Sequence, residues 1–251
     1  MVRRDPSPLD NRARFDHGWP MIAFPQAQPA ASPLLAWTIA AFAGIAAPIG
    51  AMLALAEASA NGAFAAIVAA AVSVGMMGAG IIGAAASGRF AIGVVLGCVC
   101  GAGLLLLAAV MGVPSLAHAF ALAFGVVIAC VSFAARGFLF SRSAPGAGWW
   151  IAVFVVSGEA AILATAAAMP GALPDWLLAL LPAQWANLAI GAALADGGTG
   201  AAIFPLVALG GTAAATLFAA LLLPRRWPYL IMFTTWLAMS ALVYHSPIHG
   251  P

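Results

Sequence analysis

Apolar residues run through this chain in seven blocks, at about 34–56, 62–86, 90–113, 116–140, 148–169, 201–223 and 227–245, parted by short clusters of Pro, Gly, Ser and Arg. Each block is close to or above the roughly 20 residues that an α-helix needs to cross a hydrocarbon core. The pattern predicts an all-α polytopic membrane protein, with seven transmembrane helices in one domain over 34–245. Residues 1–33 are polar and punctuated by proline, and read as a cytoplasmic tail; 246–251 read as a short outer tail.

An eighth apolar block, 174–195, is broken at Pro182, carries Gln184, Asn187, Trp176 and Trp185, and is bracketed by Asp175 and Asp196. A proline inside an apolar stretch removes a helical hydrogen bond, and a broken segment at membrane depth needs protein around it. The block is therefore expected to be an outer re-entrant or interfacial helical hairpin. Basic residues agree with that choice. With seven spans, Arg89, Arg136 with Arg142, and Arg225 with Arg226 fall in inner loops and four more in the tail, which accounts for all nine. Counting 174–195 as a span would move Arg225 and Arg226 outside. The positive-inside rule then puts the N-terminus in the cytoplasm and the C-terminus outside.

Within the fifth block, 148–169, Glu159 falls near the midpoint. Its helical neighbours on the same face are Ala152, Val155, Val156, Ile162, Leu163 and Ala166, so any polar partner must come from another helix. With every basic residue assigned to loops or tail, no fixed cation is expected beside it. Ser73, Thr212, Thr234 and Thr235 lie at comparable depth and have hydroxyls to offer. Two readings stay open: a neutral carboxyl hydrogen-bonded inside the bundle, or a proton, cation or substrate site built from Glu159, Ser73 and Thr212.

Composition narrows the classes. The chain is 65% hydrophobic and 6% charged, with a mean hydropathy of +1.08, which a soluble domain cannot reconcile with a wetted surface. Lysine is absent, which excludes a retinal or pyridoxal Schiff base and a Walker A lysine in this chain. Cys98, Cys100 and Cys130 sit in apolar runs without a Cys-x-x-Cys pair and read as small buried hydrophobes. Gly78, Gly80 and Gly83 match the dinucleotide pattern, but inside a span and without a preceding strand they read as helix packing. His118, His245 and His249 fall on one side as weak metal candidates; Pro247 separates the last two, so a tail is the simpler reading and no metal is expected. No cofactor, nucleic-acid partner or catalytic constellation is expected, and hence no enzyme.

The second and third blocks carry small residues at four-residue spacing: Gly75, Ala79, Gly83 and Ser87, then Gly93, Gly97 and Gly101. Such stripes let two backbones approach closely. They serve either as internal scaffold or as a seam between copies.

From Ser157 to Arg226 the layout resembles ABC exporter permeases of the second type. The shared points are a fifth span, an outer segment opening with Leu173-Pro174 and Trp176-Leu177, a break at Pro182 and Trp185, a Gly-rich turn at 197–200, and a sixth span ending in Arg225-Arg226. That resemblance implies an outer re-entrant hairpin and a separate ATPase subunit. A second, weaker likeness is to subunit III of haem–copper oxidases, in Phe154, Ser157 and Glu159; it implies an accessory subunit that binds lipid. The leading expectation is thus a transport permease of the bacterial inner membrane. In it Glu159 lies near the translocation path, the hairpin acts as an outer gate, and the partners are the lipid bilayer with membrane or ATPase subunits or further copies of the chain. The alternative is a non-catalytic structural or assembly subunit of a respiratory or photosynthetic membrane complex.

Overall fold

A computed structural model describes residues 33–56, 61–113, 119–195, 198–222 and 228–246. The polar tail, His118, Asp196, Arg225, Arg226 and His249 lie outside the described residues. Among those described there are helices and no strands. The first, α1 (Leu34–Ala56), is wound as a π-helix over Phe42–Ala46; the second, α2, runs on from Asn61–Met77 through a π-segment, Gly78–Ile82, into Gly83–Ser87. Then come α3 (Phe90–Val110), α4 (Ala119–Ser143), α5 (Gly148–Ala168), α6 (Asp175–Ala179), α7 (Pro182–Leu194), α8 (Gly198–Leu222) and α9 (Pro228–Tyr244).

Among the described residues six helices are long and apolar enough to cross a membrane: α1 to α5 and α8. The 17 residues of α9 give a helix of about 25 Å at 1.5 Å per residue. Large apolar side chains cover the outside, among them Val99, Leu106, Phe120, Phe154 and Leu222. That distribution suits a multi-pass protein bathed in lipid, where apolar surface need not be hidden.

The centre of the bundle is α2, which packs against α1, α3, α4 and α7. Its inner residues Val68, Val72, Met76, Met77, Ile81 and Ile82 are fully buried. Small residues set its distances to neighbours. A Cβ added at Gly75 would meet Leu104 of α3 and the Gly44 carbonyl of α1; Gly83 faces Leu96, Gly93 faces the Gly80 carbonyl, Gly97 faces Cys130 of α4, and Gly101 faces Met76. All five glycines thus face neighbours within the chain. The two π-segments abut, with Gly44 against Ala79 and Gly78 against Ala43. A π-turn leaves helical carbonyls without their usual donor, and here Cys100 donates its S–H to the Gly44 carbonyl. Gly88 adopts φ 65° at the end of α2, a left-handed geometry glycine takes without strain. It turns the chain directly into α3.

The eighth apolar block forms two helices broken at Leu180 and Leu181, with α7 lodged among α2, α4 and α8. Pro182 occupies the first turn of α7, where its missing N–H costs nothing.

Candidate functional site

Five residues of α5 face inward at alternating spacings of three and four: Trp149, Ala152, Val156, Glu159 and Leu163. Glu159 therefore belongs to the buried stripe of its helix, and its carboxylate points into the bundle by helical geometry alone. What it meets differs from expectation. Arg136 lies inside α4, about two turns before the helix ends at Ser143, and its Nη1 donates to Glu159 Oε1 at 3.0 Å. Both side chains are 11% exposed. The reading that no fixed cation accompanies Glu159 is overturned: Arg136 stands on α4 itself and not in a loop after it, and its long stem reaches sideways to the carboxylate. The guanidinium also lies 5.1 Å from the centre of the Phe133 ring, a cation–π contact.

The second oxygen, Oε2, accepts the backbone N–H of Ala183 at 3.0 Å. Ala183 stands in the first turn of α7, where backbone N–H groups have no helical acceptor and the helix dipole is positive. Pro182 has no N–H, while Gln184 and Trp185 donate to the Leu181 carbonyl at 2.9 and 3.2 Å. Glu159 thus completes the N-terminus of α7 from another helix. Ser73, from the centre of α2, donates its hydroxyl to the Ala183 carbonyl. One residue of α7 is held from both sides.

The other side of the break is held by tryptophans. Trp185 Nε1 donates to the Ala179 carbonyl and Trp236 Nε1, from α9, to the Leu180 carbonyl, each at 2.8 Å. These are the carbonyls left open where α6 stops, and each buried one without a donor would be costly. Around them Asn187 donates to Gln184 at 3.0 Å, while Asp175 and Trp176 are exposed at the start of α6.

Thr212 does not reach Glu159. Its hydroxyl donates back to the carbonyls of Ala208 and Leu209 and lies 3.4 Å from Ser132 Oγ. Thr234 bonds back within α9 in the same manner. Of the proposed trio, Ser73 and Glu159 converge on one peptide residue and Thr212 stands apart. His245 is exposed, and no group of three or more metal-ligating side chains occurs among the described residues.

A cavity of about 370 Å³ lies beside the pair, between α4, α5, α8, α9 and the break. Arg136, Glu159, Thr212 and Thr216 supply its polar groups; Phe140, Phe154, Pro182, Met232, Phe233 and Trp236 supply much of the apolar wall. Arg136 was the residue sequence reasoning missed. Its signal was present, since it falls within the apolar block at 116–140 rather than after it. No protein-family model matches the chain, and no curated protein or solved structure does.

Proposed function

We propose that the chain is a transport permease of the bacterial inner membrane. In this reading it has seven spans, with the N-terminus in the cytoplasm and the C-terminus outside, and α6 with α7 forms an outer re-entrant hairpin. The observation that carries the reading is the Arg136–Glu159 pair, which borders the cavity and at the same time holds the first turn of α7. Broken helices whose N-termini meet a binding cavity near an intramembrane charge are the usual construction of transport sites. Glu159 acts here as a clasp on the gate and not as a free cation site. Releasing Ala183 would let the hairpin move relative to α4 and α5, exposing the cavity to the outer side.

The resemblance to ABC exporter permeases makes an ATPase subunit the partner to seek. Gentle pull-down of the tagged chain from native membranes should return an ATPase in fixed stoichiometry. Redox or pigment-binding proteins in its place would overturn the permease reading in favour of a structural subunit. One observation favours that second reading: both oxygens of Glu159 are already taken by protein donors, as in a static brace.

A further inference from the structure

We propose that the cavity beside Arg136 binds an uncharged, lipid-phase molecule with a carbonyl oxygen at its polar end, such as a quinone or an acyl ester. The fold leaves buried donors beside this cavity without acceptors. Arg136 gives Nη1 to Glu159, but Nε and Nη2 are buried and have no hydrogen-bond partner. These two nitrogens form one edge of the planar guanidinium, the edge suited to grip oxygen acceptors. Thr216 is the second case. Thr165, Thr212 and Thr234 all return their hydroxyls to a helical carbonyl four residues back, whereas Thr216 Oγ1 is buried and unpartnered. Arg136 and Thr216 both line the cavity.

Charge selects the head group. Arg136 and Glu159 together are neutral, so a bound anion would leave a net negative charge in a poorly solvated site beside Glu159. A bound cation would meet Arg136. A carbonyl oxygen is an acceptor for such donors that adds no charge, and both residues that carry them line the cavity. The rest of the wall suits a ring or chain. At about 370 Å³ the cavity falls at the small end of the range for ligand pockets, so a long tail must leave it. Phe154 of α5 and Phe233 of α9 are 74% and 51% exposed and line the cavity, so the tail leaves between these two helices toward lipid.

The inference rests on reading the cavity as the substrate-facing part of a permease, and binding is measured apart from transport so that the two readings fail separately. The full chain in lipid nanodiscs is titrated with radiolabelled decyl-benzoquinone, the methyl ester of decanoic acid, decylbenzene and decanoate. Saturable binding of the quinone or the ester is expected; which of the two is tighter distinguishes the sources of the carbonyl. Decylbenzene, lacking acceptors, should bind about tenfold more weakly, the equivalent of one hydrogen bond. Thr216→Val, a change of similar shape, should weaken the carbonyl probes and leave decylbenzene unaffected. Phe233→Trp, on an exposed position, should weaken all of them by narrowing the mouth. Equal binding of decylbenzene, tighter binding of decanoate, or no saturable binding overturns the proposal. Binding without any transport would instead count against the permease.

Discussion

Glu159 and Ala183 lie on different helices, and the backbone N–H of Ala183 donates to Glu159 Oε2 at 3.0 Å. A carboxylate on one helix therefore caps the start of another, a role normally filled by the residue just before the helix. Leu181 occupies that position in α7 and has no side-chain acceptor to give. The break between α6 and α7 is tolerable because α5 supplies what the local sequence lacks.

This arrangement predicts the outcome of Glu159→Gln. The amide oxygen of Gln can still accept from Ala183, but nothing then neutralises Arg136. Breaking a buried pair from one side costs about 3–5 kcal/mol, so the variant should lose stability. Pairing the change with Arg136→Met should recover most of the loss. The check is an SDS-unfolding titration of both variants; additive losses in the double variant would show that the two side chains do not act as a pair.

Much of the architecture was legible in the sequence because hydropathy and helix length are properties of a single segment. The six long apolar helices coincide with expected blocks, and Pro182 marked the break. The inward face of Glu159 followed from helical spacing. Its partner did not, since counting Arg residues as loop markers ignores that an Arg stem can carry its charge sideways from within a helix. The abutting π-segments were equally hidden. They carry no proline, and they arise where Gly44 and Gly78 let α1 and α2 touch backbone to backbone. Nor does composition reveal that α2 is the buried centre, because α3 is more apolar still, at a mean hydropathy of 2.5 against 2.2, and yet lies mostly on the outside.

The tryptophans at the break give a second prediction. Trp236→Phe keeps the ring volume nearly intact but deprives the Leu180 carbonyl of its side-chain donor, a loss of about 1–3 kcal/mol for a buried acceptor. Because α6 is held to α9 by this bond, amide hydrogen exchange should rise across 175–181 while α2 and α4 keep their protection. Uniform exchange in the variant and the parent would deny the indole this role.

Ser73→Ala tests the opposite grip on α7. Its hydroxyl donates to the Ala183 carbonyl, and its removal should cost about 1 kcal/mol, less than the loss of Glu159 because no charge is stranded. The SDS-unfolding midpoint should fall accordingly. A loss equal to that of Glu159→Gln would mean that the serine, rather than the carboxylate, holds α7 in place.

Close packing of the helices makes the final prediction. A Cβ added at Gly137 of α4 would press on the Ile81 carbonyl, and one at Gly148 of α5 on the Phe140 carbonyl. Backbone cannot swing aside as a side-chain end can, so either substitution by Ala must move a whole helix, at a cost of about 1–3 kcal/mol or more. Gly103 of α3 has open space at the same position, and there the better helix propensity of Ala should add up to about 1 kcal/mol. Opposite shifts of the unfolding midpoint for Gly137→Ala and Gly103→Ala are the expected result. Equal tolerance at both would mean that α2 and α4 stand further apart than Gly137 and Ile81 place them.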